Sequence, residues 1–233
     1  MEPPPIGPIR PDAREDAVRF GWAARLLGRL LAGYVWLVAR TARFSGPPIT
    51  QDQVIFAVWH ESNLACAVAA YRLRNDNRAI VFSTRGFRGI VMNTMLQALG
   101  SGVVTLPDEG AQTRAEAASV SRVMARVGQS GWSLVISCDG PWGPHRVAKP
   151  GALIVARESG IPIQPWAISV RPTLRLRKRW DRHIVPLPFG RMRVEEGPQL
   201  TVGPRDRVKP LIPALQAELN RVAERADRRM GEA

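Results

Sequence analysis

The sequence predicts a single α/β domain, with a mainly parallel sheet flanked by helices and an N-terminal amphipathic helix. Apolar segments of strand type alternate with helical segments between residues 50 and 170, which is the pattern of βαβ units. The chain has 233 residues, 45% of them hydrophobic, which suffices for one domain with its own core. We expect residues 1–45 to form a loose segment and an interfacial helix, and residues 46–233 to form the domain.

Buried strands are predicted where short apolar runs stand between turn signals. These runs are 54–59, 79–82, 102–106, 132–136 and 161–168. Periodic apolar residues predict helices at 62–73, 90–99, 113–128, 152–159 and 210–229. Beyond residue 170 the pattern changes, and we expect short strands or loops at one edge of the sheet.

Residues 20–44 are predicted to form one long helix with an apolar core, tryptophans and interspersed arginines. Its longest uncharged run, residues 30–39, is too short to span a bilayer. The composition favours a helix that lies on anionic lipid, and the alternative is a helix that packs its apolar face on the domain. The first dozen residues are proline-rich, carry no secretory signal and are expected to be loose.

The formal net charge of +13 favours a polyanionic partner, which is a membrane surface, an acidic carrier protein or nucleic acid. An arginine-rich coding bias is the alternative explanation. Nucleic acid ranks last, since the sequence has no zinc finger, aromatic RNA-binding signature or clear helix-turn-helix. Cys66 and Cys138 lack metal-site spacing and indicate a reduced, cytosolic chain, and three widely spaced histidines do not predict a metal site.

The stretch 138–165 contains a glycine- and proline-rich turn, a helix and a strand, directly after a predicted strand. Open α/β sheets bind ligands at the carboxyl ends of such strands. Four side chains in the turn, Asp139, His145, Arg146 and Lys149, would surround an anionic group.

His60 stands at the end of the predicted strand 54–59 and is followed by polar residues. Because the pKa of an ordinary histidine lies near neutrality, a histidine at a strand end is a candidate general base. A hydrogen-bonded structural histidine is the alternative at such a position.

Taken together, these motifs resemble the lysophospholipid and glycerolipid acyltransferase family, and most of all a bacterial branch described as a domain of unknown function. The matching segments lie in the family's order between about residues 50 and 200. They are Val-Ile-Phe-Ala-Val-Trp-His at 54–60, Asp-Gly-Pro-Trp-Gly-Pro at 139–144, Lys-Pro-Gly at 149–151, the helix 152–159, Gly-Ile-Pro-Ile-Gln-Pro at 160–165, and Trp-Asp-Arg-His-Ile-Val-Pro-Leu-Pro-Phe-Gly at 180–190.

The resemblance implies that His60 deprotonates the hydroxyl of a lysophospholipid or related lipid, which then attacks an acyl thioester of coenzyme A or acyl carrier protein. Asp139 and Gly140 inherit the binding of the acceptor's phosphate region, with Arg146 and Lys149 as phosphate contacts; for Asp139 the alternative is a turn or cap residue. The thioester is a co-substrate, and no metal or tightly held cofactor is implied. The expected location is peripheral, on the cytoplasmic face of the inner membrane.

The sequence departs from the family where a carboxylate should orient the histidine. The family has Asp five positions after the histidine, and this chain has Ala65 there, while Glu61 is too close along the chain to be assumed a substitute. Residues 84–89 and 105–110 also differ from the expected elements, although Asp108 or Glu109 could reach the imidazole. A catalytically decayed module that binds lipid or acyl carrier protein is therefore the alternative function.

A basic alternating stretch covers residues 171–182. It has two interpretations, which the sequence does not separate. One is a docking site for anionic head groups or an acidic carrier protein. The other is a solvated edge strand whose charges protect it against aggregation.

Overall fold

The computed structural model describes residues 12–48, 50, 52–73, 79–106 and 114–232, with the side chains of 12–20 and 114–118 left out. The predicted loose segment at residues 1–11 lies outside this range. In chain order the elements are helix α1 (Asp12–Thr41), strands β1 (Arg43–Ser45) and β2 (Ile55–Val58), a 3₁₀ turn (His60–Ser62), α2 (Asn63–Arg72), β3 (Ala79–Ser83), α3 (Gly86–Ala98), β4 (Gly102–Thr105), α4 (Arg114–Gln129), β5 (Ser133–Ser137), α5 (Gly151–Ser159), β6 (Ile163–Arg175), β7 (Ile184–Glu196) and α6 (Val208–Gly231).

The strands form one seven-stranded sheet in the order β1-β7-β6-β2-β5-β3-β4. Every neighbouring pair is parallel except β6 and β7, which form a long antiparallel hairpin. The predicted α/β domain with a mainly parallel sheet is confirmed.

Helices cover both faces of the sheet, and alternate residues of β2 show why. Phe56 and Val58 pack into a core with α1, α2 and α3, whereas Ile55 and Ala57 pack into a second core with α4, α5 and α6. Since successive side chains of a strand point to opposite faces, a strand buried on both faces has to be apolar throughout. All four residues of β2 are buried accordingly.

Two predictions about element boundaries are wrong. The N-terminal helix ends at Thr41 rather than residue 44, and residues 43–45 pair with β7 as a short edge strand. The segment after residue 170 belongs to a hairpin of two 13-residue strands, rather than to short strands or loops at one edge of the sheet. The outermost strands of the sheet are β1 and β4. Proline and arginine in the hairpin strands conceal the apolar alternation, and a register shift between Arg171 and Thr173 accommodates the break.

The N-terminal helix contacts the domain through small side chains and leaves large apolar ones in solvent. Ala24, Ala32, Val35 and Val38 are buried, with Ala32, Val35 and Val38 in the core that includes α2 and α3. The exposed apolar side chains are those of Trp22, Leu26, Leu27, Leu30, Trp36 and Leu37. An apolar N-terminal helix is thus confirmed, with one side packed on the domain and another open.

The segment Gly21–Thr41 is long and apolar enough to cross a membrane by length and composition alone. The inference from the ten-residue uncharged run, that this helix is too short to span, is therefore too strict. A helix packed on a domain passes the same test, and one third of the most apolar stretch is buried here.

Candidate active site

The carboxyl ends of β2 and β5 bring the two main candidate residues together. The strands pair in parallel with Val58 opposite Ser137, and the Cys138 N–H donates to the Val58 carbonyl at 2.8 Å. Just beyond this pairing, the backbone N–H of His60 donates to Oδ1 of Asp139 at 3.0 Å. His60 and Asp139, each of which follows a predicted strand, therefore lie together at the carboxyl ends of two paired parallel strands.

The His60 imidazole is partly buried and has no fixed hydrogen bond on one nitrogen. Its side chain is 27% exposed, and Nδ1 is buried without a hydrogen-bond partner among the described residues. Oδ1 of Asp139 is 4.0 Å from Nδ1, which is too far for a hydrogen bond. Burial lowers the pKa of His60 to about 4, against the opposing effect of the Asp181 carboxylate, so the ring is neutral at pH 7.

The loop between β6 and β7 covers the imidazole. The Trp180 ring is tilted against His60, with the ring centres 5.2 Å apart. Asp181, the next residue, is fully buried and accepts two hydrogen bonds from the Arg179 guanidinium, at 2.9 and 3.0 Å. His183 Nδ1 lies 3.3 Å from Asp181 Oδ2, and burial lowers the pKa of His183. Burial acts to raise the pKa of Asp181, but Arg179 and the two histidines hold it below its usual range.

Glu61, the neighbour of His60, forms the centre of a buried ionic cluster. Its carboxylate accepts hydrogen bonds from Arg146 Nε at 2.9 Å, from a second Arg146 nitrogen, and from Arg175 Nη1 at 2.6 Å. His145 Nε2 is 2.9 Å from the same carboxylate. Burial acts to raise the pKa of Glu61, and these basic partners outweigh it and lower the pKa. Glu61 is therefore committed to the turn that follows β5 and is not the carboxylate that orients His60.

The glycines of this turn allow two close approaches. Gly140 has a left-handed backbone (φ 66°), and a Cβ there would lie 3.0 Å from Cδ of Lys149. A Cβ on Gly143 (φ 71°) would lie 2.5 Å from the Trp180 ring. Lys149 thus lies along the turn, and its charge contributes to the lowered His60 pKa. A larger residue at position 143 would separate the turn from the hairpin loop that covers His60, and one at position 140 would displace Lys149.

All five predicted site residues, namely His60, Asp139, Gly140, Arg146 and Lys149, lie at this one edge of the sheet. Asp139 differs from the others because it is fully buried. It accepts backbone hydrogen bonds from His60 and, at 3.3 Å, from Arg146, and burial raises its pKa despite these bonds. This geometry favours the alternative role of Asp139, as an anchor of the turn, over direct contact with a phosphate.

The positions where an orienting carboxylate was sought divide into two groups. Ala65 lies in α2 and is fully buried in the core, so it offers nothing to His60. Asp108 and Glu109 lie outside the described residues.

Sequence reasoning missed the roles of Trp180, Asp181 and Arg175. One signal could have found Asp181, because it is the only acidic residue between 159 and 194, within a strongly basic stretch. A lone acid among arginines is a candidate for a buried ion pair. Nothing in the sequence indicates that Trp180 meets His60, since 120 positions separate them.

In the described part of the chain, no group of three or more His, Cys, Asp or Glu side chains could hold a metal ion. Cys66 and Cys138 are both free and buried. Burial raises the pKa of both thiols, that of Cys66 to about 12.

The sequence matches no protein-family model. An uncharacterized protein of Rickettsia prowazekii is 26% identical over 161 residues, which cover 69% of each chain. Among solved structures, the fold is similar to that of the 1-acyl-sn-glycerophosphate (LPA) acyltransferase PlsC from Thermotoga maritima. The TM-score is 0.53 at 14% identity, over 91% of this chain and 82% of that one. The chain therefore has an acyltransferase-like fold.

Proposed function

We propose that the protein is an acyltransferase that moves a fatty acyl group from a thioester to the hydroxyl of a lysophospholipid or related lipid. The observation that carries the proposal is the neutral, partly exposed His60 at the end of β2, with cationic side chains beside it. The similarity of the fold to a solved lysophosphatidate acyltransferase supports the same chemistry.

His60 meets the first requirement of a general base, which is to be unprotonated at the working pH. Burial holds its pKa near 4, so almost every molecule carries a neutral imidazole at pH 7. Because Nδ1 is buried, Nε2 is the nitrogen that would accept the proton of an incoming hydroxyl. This requires the tautomer with hydrogen on Nδ1.

One buried carboxylate, that of Asp139, is placed to favour that tautomer. A shift of roughly 1 Å would bring Nδ1–H of His60 within hydrogen-bond distance of Asp139 Oδ1. Catalytic hydrogen bonds are often long before substrate binds and tighten afterwards. Asp181 adds a favourable field, since it stabilises the imidazolium that forms during the reaction. These positions take the place of the carboxylate absent at Ala65.

The acceptor's phosphate would bind to the turn after β5. Arg146 and Lys149 supply positive charge at this turn. Arg175 adds a third cation, because it bonds to the same Glu61 carboxylate as Arg146. Since the side chains of Arg146 and Arg175 are 29% and 33% exposed, each keeps donors that a phosphate could reach while it remains bonded to Glu61. Gly140 lets the Lys149 ammonium lie close to the backbone of this turn, where the phosphate would bind.

In the proposed reaction, His60 removes the hydroxyl proton as the acceptor oxygen attacks the thioester carbonyl. The C–O bond forms and the C–S bond breaks, and the imidazolium returns its proton to the leaving thiolate. The donor is acyl-coenzyme A or acyl carrier protein, and the products are an ester and a free thiol.

The protein would work at an anionic membrane surface, on the cytoplasmic face of the inner membrane. The open apolar side of α1 supports this location, as does the excess of basic residues. Tryptophans at both ends of the exposed stripe, Trp22 and Trp36, are typical of residues at a lipid interface.

Transfer of a labelled acyl group tests the proposal, with purified protein, anionic vesicles, an acyl thioester and a set of lysophospholipids. His60→Ala and His60→Gln should each reduce turnover by about 10²–10⁴-fold, the usual contribution of a general base. Arg205→Ala, at an exposed position away from the site, is the matched control and should remain active. Undiminished transfer by both His60 variants would refute the role of His60.

A second candidate function is a non-catalytic module of the same fold that binds lipid or acyl carrier protein. Nδ1 of His60 has no hydrogen-bond partner among the described residues, and Ala65 is apolar. Both observations favour this module, because these residues leave tautomer control by a carboxylate incomplete. This alternative predicts salt-sensitive binding to anionic vesicles with no thioester turnover on any acceptor.

A further inference from the structure

The β6–β7 hairpin extends beyond the strands beside it and ends next to His60. Strand β6 pairs with β2 only as far as Pro165 but continues to Arg175. The loop that follows places Trp180 against the His60 ring. The tip of the hairpin therefore extends past the carboxyl ends of the neighbouring strands, where the candidate active site lies.

In the described part of the chain, β6 pairs with β2 only up to Pro165, so residues 171–175 have only β7 beside them and the edge-strand interpretation still applies to them. Arg177, Lys178 and Arg182 lie in the loop between β6 and β7 rather than in a strand, so protection of a strand edge does not explain their charges. These three basic residues need another explanation.

An exposed surface combines apolar and basic side chains at this tip. We define the hairpin-tip surface by Trp142, Leu174, Leu176, Arg177, Lys178 and Arg182. Trp142 belongs to it because its neighbour Gly143 packs directly on the Trp180 ring. Trp142 is 63% exposed, and the two leucines are 49% and 40% exposed. Single exposed leucines need no explanation, but here a tryptophan and two leucines are exposed on the turn and the hairpin that meet beside His60, and cations stand next to the leucines in the chain.

Among the described residues, no acidic side chain forms an ion pair with Arg177, Lys178 or Arg182. Asp181 is fully buried and paired with Arg179, and residues 171–180 contain no acid. Leucine and tryptophan side chains flanked by arginine and lysine are characteristic of protein surfaces that enter the interface of an anionic bilayer.

We propose that the hairpin-tip surface docks on an anionic lipid bilayer and opens the His60 site directly onto it. Trp142, Leu174 and Leu176 enter the boundary between head groups and acyl chains, while Arg177, Lys178 and Arg182 contact lipid phosphates. This contact is separate from that of α1. This docking deepens the proposed function. The delivery of a lipid acceptor to His60 rests on that function, whereas the docking itself does not depend on catalysis.

A fluorophore at the tip tests the docking locally. Leu176→Cys can be labelled selectively with an environment-sensitive dye, because Cys66 and Cys138 are buried and their thiol pKa values are raised. Arg205→Cys is the matched control, since Arg205 is exposed and lies far from the hairpin tip. It follows Leu200, which pairs with the first residue of β6, at the opposite end of that strand. With vesicles of phosphatidylglycerol and phosphatidylcholine, the dye at 176 should shift to the blue and the dye at 205 should not.

Charge reversal gives a second, quantitative measurement. Each basic residue near an anionic surface contributes about fivefold to binding, so Arg177→Glu/Lys178→Glu should reduce vesicle partitioning at least about 25-fold. Arg205→Glu/Lys209→Glu changes the net charge equally and should have little effect. Equal losses in the two double variants would mean that overall charge, rather than this surface, drives binding, and would overturn the proposal.

Two further outcomes overturn it. One is a silent dye at 176 with anionic vesicles. The other is a dye that responds to an acidic carrier protein and not to lipid. Acyl transfer to a detergent-dispersed acceptor separates the docking from the proposed function. His60-dependent transfer, together with a dye at 176 that does not respond to vesicles, refutes only the docking. A dye that shifts with vesicles, without transfer to any acceptor, counts only against the enzyme.

Discussion

His60 and Glu61 are adjacent in the chain but differ in burial and in hydrogen bonding. Glu61 is almost completely buried, and two arginines and a histidine bind its carboxylate. The His60 ring is partly exposed and its buried Nδ1 lacks a partner among the described residues. One residue has all its hydrogen bonds and serves the fold, while its neighbour keeps unused capacity for chemistry. The difference shows that chain proximity to a catalytic candidate says little about the role of a residue.

The largest expected effect separates the two residues by stability. Glu61→Gln removes the charge that neutralises Arg146 and Arg175, and should lower the free energy of unfolding by about 3 kcal/mol. His60→Gln should lower it by less than about 1 kcal/mol, as is common for a partly exposed side chain without strong bonds. Urea unfolding of both variants measures the contrast, and equal losses would contradict it.

The next effect concerns the pH dependence of stability. Because the pKa of Glu61 is lower in the folded protein, its stabilisation is complete above the unfolded value of about 4.3. It is lost as the pH falls through the lower folded pKa. Unfolding midpoints of the wild type should therefore decrease below about pH 4.5. Glu61→Gln should flatten part of this decrease; an unchanged slope would show that other carboxylates account for it.

His60 predicts a different pH effect, on activity. A base whose pKa is about 4 remains unprotonated through the mildly acidic range, so kcat/KM should stay level down to about pH 5 and fall with a midpoint near 4. An acidic limb near 6.5 would indicate a solvated histidine in the working enzyme. The measurement is initial rates across a series of buffers at constant ionic strength.

The smallest expected effect sharpens the role of Asp181. Its negative charge raises the pKa of His60, so Asp181→Asn should move the acidic limb of kcat/KM to lower pH. The same change should decrease kcat by a few-fold, because the imidazolium formed in the reaction loses a stabilising charge. Arg175→Ala is the control, since it touches Glu61 but should leave the limb in place. A limb that moves equally in both variants would indicate general loosening of the site.

The sequence alone was enough to predict the fold class, and local chemistry explains why. Strands β2, β3, β4 and β5 lie in short apolar runs between turn signals, and such runs need no tertiary information to be recognised. The position of His60 at a strand end follows from the same pattern. The turn after β5 was recognisable because glycine, proline and basic residues concentrate there.

The β6–β7 hairpin and the partners of the site residues could not be predicted in this way. Prolines and arginines in the hairpin hide the alternation of apolar and polar residues that would identify its strands. The two strands are defined instead by the backbone hydrogen bonds between β6 and β7, which form only in the tertiary structure. The contact between His60 and Trp180 depends on how far the hairpin overhangs the sheet.

The sequence by itself determined which side chains are available at the carboxyl ends of the strands: three histidines, two aspartates, a glutamate and several cations. Only the tertiary structure decided which of them neutralise each other, because ion pairing depends on distances between segments far apart in the chain. Glu61 was paired with Arg146 and Arg175, Asp181 with Arg179, and the imidazole of His60 was left beside both aspartates without a hydrogen bond to either. Burial then set the protonation state, since the desolvation of His60 outweighs the field of Asp181 and keeps the ring neutral.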